Sequence, residues 1–202
     1  MATDMARPRP ALAEEDRLRA DLYAMLGRLL GAAPGQDAID ECARLTGDDS
    51  DLGQGIKALA KIAAQSKARG VAREYDALFV GLGRGELLPY ASYYLTGFLN
   101  EKPLARLRGH MAEFGIARNP QVAEPEDHIA SLCEMMAGII RGDFGREVSL
   151  EDQHAFFNTH VATWARHFFT DLEGAEGSVF YAPVGKIGRA FMDIEFEAFR
   201  ME

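Results

Sequence analysis

Ile129, Leu132, Cys133, Met136, Ile139 and Ile140 fall at helical spacing, so one face of a helix carries a nearly continuous apolar stripe. The same spacing returns along most of the chain. Leu18, Leu22, Met25, Leu26 and Leu29 mark a first helix ending near Gly31. One short helix follows in the 33–55 stretch, then a helix from about Leu52 that stops before Gly70. Val71, Tyr75, Leu78 and Phe79 make a further amphipathic segment, closed by Gly81-Leu82-Gly83-Arg84-Gly85. Leu104, Leu107, Met111 and Phe114 continue the pattern after Pro103, a favoured first-turn residue. Two helices, about Leu150–Leu172 and Val184–Phe199, end the chain. No segment sustains alternation of period two. The expected fold class is therefore all-α, with about eight to ten helices and short connections. Residues 11–202 are expected to form one helical domain, behind a mobile, proline-punctuated arm at 1–10.

Composition narrows the function. At 202 residues and a net charge of −9, the chain lacks the basic balance that phosphate binding needs, which argues against nucleic acid as partner. An acidic protein can instead attract a basic ligand. The acids are concentrated: 33–55 holds six against Arg44, and 121–152 holds eight against Arg141 and Arg146. The first block reads most simply as a solvated loop. Apolar runs are far too short to cross a bilayer. The N-terminal residues lack the apolar core of a secretory signal, and Cys42 and Cys133 form neither a CxxC pair nor a disulfide framework. A reduced cytoplasmic address is expected, with Cys133 a buried small hydrophobe.

Several familiar chemistries find no support. Gly81–Gly85 lacks both the spacing and the strand–helix context of a phosphate-binding loop. His160 and His167 are seven residues apart, about 10.5 Å along a helix axis, too far to share one metal ion. His160 lies between Phe156 and Trp164 and is expected to pack among aromatics with one hydrogen bond. No HExxH motif, nucleophile elbow or singled-out acid–base pair occurs. Neither an enzyme activity nor a cofactor of its own is expected.

Two segments stand apart. Leu87-Leu88-Pro89-Tyr90-Ala91-Ser92-Tyr93-Tyr94 reads as an unusually aromatic loop, either folded back on the core or forming an apolar rim for a peptide. Glu124-Pro125-Glu126-Asp127-His128 reads as a helix start, with proline in the first turn and acids at the positive end of the helix dipole. That reading leaves His128 unexplained, because the dipole disfavours a charged imidazole.

These blocks, Tyr75-x-x-Leu78-Phe79, Pro89-Tyr90-x-Ser92-x-Tyr94, Glu124-Pro125-x-Asp127-His128-Ile129, Phe156–His160–Trp164 and Phe180-Tyr181, occur in an order that resembles the TorD/DmsD family of molybdoenzyme maturation chaperones. The match departs at Ala91, where the family often carries glutamate. The resemblance implies a cytoplasmic, all-helical chaperone. Its ligands would be the twin-arginine signal peptide and the apo catalytic subunit of a molybdenum-cofactor oxidoreductase, with export delayed until the cofactor is inserted. Molybdopterin-cofactor biosynthesis proteins are further candidate partners. By position in the motifs, Asp127 and His128 would contact the peptide, with Pro89 and Tyr90 facing them. Tyr94 could add apolar surface, and Glu124 and Glu126 further carboxylates for guanidinium groups. Two other readings remain: a guanine-nucleotide-binding switch, and a structural helical adaptor using the Pro89–Tyr94 segment. A monomer is expected, with 115–124 a candidate hinge for domain exchange.

Overall fold

The stripe that begins at Ile129 becomes the most enclosed helix of the computed structural model, which describes residues 12–145 and 148–201. This helix, Ile129–Arg141, buries ten of its thirteen residues, so it has almost no solvent face and must be wrapped by others. The described residues form ten α-helices and one π-helical turn. In chain order they are α1 (Glu14–Gly31), α2 (Gln36–Cys42), α3 (Asp51–Ala63) and α4 (Ala68–Tyr75), which runs on into the π turn Asp76–Val80. Then come α5 (Ala91–Thr96), α6 (Lys102–Phe114), α7 (Ile129–Arg141), α8 (Leu150–His160), α9 (Ala165–Gly174) and α10 (Tyr181–Arg200). No strand occurs among the described residues, only a single antiparallel bridge between Tyr90 and His128. The fold class is all-α. The 1–10 arm lies outside the described residues.

Two tightly packed helix pairs organise the molecule. Helix α1 lies along α7, and Gly27 permits the contact: a Cβ there would stand 2.9 Å from Glu134 Cγ and 3.2 Å from the Ala130 carbonyl. Helices α9 and α10 meet at Gly185 and Gly188, where a Cβ would fall 2.4 Å from the Glu173 amide and 2.1 Å from the Phe169 ring. One connected core runs from Ala20 to Phe199, with Trp164, Tyr23, Tyr181 and five phenylalanines as its largest enclosed side chains. Within it Arg19 donates from Nε to Glu195 Oε1 at 2.7 Å and from Nη2 to Oε2 at 2.9 Å. Tyr23 adds its hydroxyl to the same carboxylate at 3.0 Å. This joins α1 to α10 through a charge that is fully withdrawn from water.

The structure departs from the sequence expectations at several places: the helix expected from Leu52 to before Gly70 ends at Ala63, and Gly70 lies inside α4. The single helix expected over Leu150–Leu172 is two, because Trp164 turns its indole back and donates Nε1–H to the His160 carbonyl at 2.8 Å. Trp164 leaves the helical conformation, with φ −149° and ψ −29°, and the chain restarts as α9 after it. The 87–94 segment is not wholly a loop, since α5 begins at Ala91. Helix α10 starts at Tyr181, three residues before Val184, because Glu74 accepts the amides of Val179, Phe180 and Tyr181 at 2.8, 3.1 and 2.9 Å. That satisfies orphan donors from a distant helix. The 33–55 acids are more than a solvated loop: Asp51 pairs with Arg189 and Lys186 of α10 at 3.0 and 3.3 Å.

The buried pair gives a stability prediction. Arg19→Met leaves the Glu195 charge enclosed with only a tyrosine hydroxyl, and should cost about 3–5 kcal/mol in urea unfolding. Adding Glu195→Met should recover most of the loss. A double variant as unstable as the single one would show that the charge pair is not the cause.

Candidate functional site

Pro89–Ala91 and Asp127–Ile129 cross as two short extended stretches, and the polar groups at the crossing are paired except two buried side-chain oxygens, Asp127 Oδ1 and Ser92 Oγ. The Ala91 amide donates to the Asp127 carbonyl at 3.0 Å, and the Ile129 amide to the Pro89 carbonyl at 2.8 Å. Asp127 Oδ2 accepts the Ser92 amide at 2.8 Å, so the carboxylate caps α5. His128 is the N-cap of α7 and accepts the Ala130 amide on Nδ1 at 3.1 Å. The two motifs that stood apart in the sequence are thus mutually dependent: each supplies the other's helix start.

The expected helix-start reading of 124–128 is corrected here. Pro125 is not in the first turn of α7; its carbonyl accepts the His128 amide in the turn that precedes the helix. The acids are likewise upstream of the helix. Accepting an amide on Nδ1 requires an unprotonated nitrogen there, so His128 serves as a neutral cap. Burial holds its pKa down at about 4, against the opposing pull of the Glu124 and Asp127 charges. The helix dipole therefore meets no imidazolium at neutral pH.

Of the expected site residues, Pro89, Tyr90, Glu124, Asp127 and His128 come together. The Tyr90 ring packs edge-on against His128 at 5.1 Å, and its hydroxyl donates to Glu124. Burial and this hydrogen bond push the Tyr90 phenol well up. Glu126 faces elsewhere and pairs with Arg108 at 2.8 Å and Arg118 at 3.3 Å. Burial works against its charge, but the Arg108 hydrogen bond prevails and its carboxyl is lowered. Tyr94 lies on α5 against Trp164 at 5.3 Å and donates to Asp171 at 2.8 Å, on the α9 side.

The crossing separates two depressions. On one side a pocket of about 270 Å³ is lined by Ala91, Leu95, Lys102, Arg106, Asp127 and Thr159, among others. Asp127 is 1% exposed, and its Oδ1 has no hydrogen-bond partner. A buried carboxylate oxygen left unsatisfied beside an open pocket is costly unless a donor completes it. On the other side Glu124, His128, Ser131 and Glu134 line a groove between α1 and α7.

Several other motif residues hold the framework. The Tyr181 hydroxyl donates to the Leu29 carbonyl at 3.0 Å and the Tyr75 hydroxyl to the Leu30 carbonyl at 3.3 Å, closing the end of α1. Phe79 packs between these rings, at 5.0 Å from Tyr75 and 5.4 Å from Tyr181. His160 contacts Phe156 at 4.9 Å and shares a 2.8 Å hydrogen bond with His110. Sequence reasoning missed His110 and Glu74, since their partners lie 50 and more than 100 residues away. Among the described residues no group of three or more His, Cys, Asp or Glu is placed to hold a metal ion.

The neutral cap fixes a pH dependence. His128 titrates near 4 when folded and near 6.5 when unfolded, so the unfolded chain takes up its proton first as pH falls. Its stabilising contribution is complete above about pH 6.5 and lost as pH drops towards 4. His128→Asn keeps a good N-cap acceptor and removes the titration. Urea midpoints measured from pH 7 to 4.5 should fall less steeply in the variant, and an unchanged slope would contradict a neutral, buried His128.

Comparison with known proteins places this geometry. The chain matches the family model described as nitrate reductase delta subunit over residues 46–170. It is 29% identical over 133 residues to the chaperone protein TorD of Photobacterium profundum, an alignment covering 62% of each chain and so less than two thirds of that relative. With TorD of Vibrio atlanticus the identity is 26% over 201 residues, covering 88% of this chain and 92% of the relative. A crystal structure from Archaeoglobus fulgidus, provisionally assigned as a redox enzyme maturation protein, superposes with a TM-score of 0.57 at 19% identity. It covers 93% of this chain and 99% of that one, and shares the fold. The match over more than half its length makes this chain a member of the nitrate reductase delta subunit family, within the TorD/DmsD group of molybdoenzyme maturation chaperones.

Proposed function

We propose that this protein is a cytoplasmic maturation chaperone that binds the twin-arginine signal peptide of a molybdenum-cofactor oxidoreductase, together with its apo catalytic subunit, and delays export until the cofactor is in place. Residues 11–202 act as one domain in this reading, without catalysis. The relatives named TorD chaperones support the general role.

The observation that carries the peptide reading is the free Oδ1 of Asp127 at the wall of the 270 Å³ pocket. A guanidinium offers planar, forked N–H donors and suits such an acceptor better than an ammonium does. Lys102 and Arg106 also line the pocket and oppose a cation, but both are exposed and their repulsion is screened by water and salt. The Asp127 charge acts from a buried position, where screening is weak. Across the wall, exposed Glu124 offers a carboxylate to the second arginine, and the half-buried Tyr90 supplies apolar contact between them, with Pro89 buried behind it. Tyr94 and Glu126, engaged with Asp171 and the two arginines, support the flanks from behind. His128 contributes as the uncharged cap that keeps Asp127 and Glu124 on opposite sides.

Asp127→Asn separates recognition from folding, because the amide oxygen still accepts the Ser92 amide while the charge is gone. Calorimetry with a twin-arginine peptide should show binding at least ten-fold weaker, about 1.4 kcal/mol, with little change in Tm. A twin-lysine peptide should bind the unaltered protein more weakly than the twin-arginine one. Equal affinity of Asp127→Asn and the unaltered protein would overturn the assignment of this carboxylate.

A further inference from the structure

Arg28, near the end of α1, borders three depressions at once. Two are the neighbouring parts of the α1–α7 groove, which share Glu124, Ser131 and Glu134. The third lies on the opposite flank of α1, where Leu18, Leu22 and Met25 face Leu45, Leu52 and Ile56 across a trough of about 470 Å³. The groove that carries Glu124 and Glu134 is therefore contiguous with an apolar trough; Arg118 and Arg141 of the groove are engaged with Glu126 at 3.3 Å and Asp21 at 2.7 Å, and Arg28 with its 2.9 Å partner Glu41 stands at the junction.

The two surfaces differ in chemistry. In the groove, Glu134 makes no hydrogen bond or ion pair with the described residues, and burial raises its carboxyl. The room for its side chain comes from Gly27, since a Cβ there would crowd Glu134 Cγ at 2.9 Å. The trough has an apolar floor: Leu18 is 59% exposed at its far end, and Leu22, Met25 and Ile56 are half-buried. Its rim carries Asp21 and Glu41, the latter from the acidic 33–55 block. From Arg28 back to Leu18 is ten residues of α1, about 15 Å at 1.5 Å per residue. That is the length of about ten residues of a docked helix.

We propose that this trough between α1, α2 and α3 holds the uncharged apolar run that follows the arginine pair of a signal peptide, with Glu134 and Glu124 receiving the basic end beside Arg28. The inference rests on the peptide-binding reading given above and assigns the apolar part of that ligand a place of its own. Charge decides the direction: the basic end faces the unpartnered carboxylate in the groove, and the apolar end faces leucine, methionine and isoleucine. Burial of the apolar run supplies most of the affinity, while the carboxylates set register. The Arg28–Glu41 pair is half-exposed on both sides, so opening it as the peptide crosses the junction costs little.

The test uses the full chain and two synthetic peptides, one with the arginine pair and the apolar run, the other ending after the arginines. The longer peptide should bind the unaltered protein at least ten-fold more tightly. Leu18→Glu, at an exposed position where folding is undisturbed, and Met25→Glu should each remove most of that advantage and leave the weaker affinity for the short peptide unchanged. Glu134→Gln should weaken both peptides. A photo-crosslinker midway along the apolar run should label α1, α2 or α3. Crosslinks confined elsewhere, or equal affinity for the two peptides, would overturn the trough while leaving arginine-dependent binding at Asp127 standing. Failure of both peptides to bind the unaltered protein would overturn the peptide reading and this inference together. A concentration-dependent dimer that Leu18→Glu dissociates would assign the trough to a second copy of the chain instead.

Discussion

Two backbone hydrogen bonds, from Ala91 to the Asp127 carbonyl and from Ile129 to the Pro89 carbonyl, hold together the part of this molecule proposed for recognition. They fix two segments separated by more than thirty residues, and two helices begin where they cross. Asp127 caps α5 and His128 caps α7, so neither side chain is free to move without unmaking a helix start. A charged group and a neutral one are thereby fixed on a rigid partition. One carboxylate oxygen is spent on the cap and the other is left at a pocket wall. Pre-organisation of this kind lowers the ordering cost of binding a flexible peptide.

The surrounding framework is built from aromatic side chains that also carry polar tips. Tyr75 and Tyr181 close the end of α1, Trp164 ends α8, and Glu74 starts α10 from another helix. Each satisfies a backbone group that would otherwise be buried without a partner. Several residues of the ordered motif blocks therefore serve folding rather than ligand contact. The proposed recognition surface is the smaller set at the crossing and the surfaces that flank α1.

Helix periodicity carried most of the architecture into view before the structure. The stripes of α1, α6 and α7 are continuous, and each ends at a glycine or begins near a proline, so their existence and most of their limits were legible, the start of α7 excepted. What escaped was set by long-range contacts. The break after His160 depends on where an indole folds, and the early start of α10 depends on a carboxylate more than 100 residues away. The site was legible as two separate motifs, and the acid, proline and histidine pattern did single out 124–128. That Glu126 turns to Arg108 and Arg118, and that Tyr94 turns to Asp171, follows only from the way α6 and α9 pack. His128 was the least legible residue, because its role depends on burial and on the amide that its Nδ1 accepts, neither of which sequence alone shows.

Hydrogen–deuterium exchange of the full chain with and without a twin-arginine signal peptide tests the account most directly. If the crossing and the flanks of α1 form the binding surface, added peptide should slow exchange at 89–96, 124–134 and along α1, with α9 and the C-terminal half of α10 unchanged. Protection confined to α9 and α10, or none at a peptide concentration that saturates binding, would contradict it.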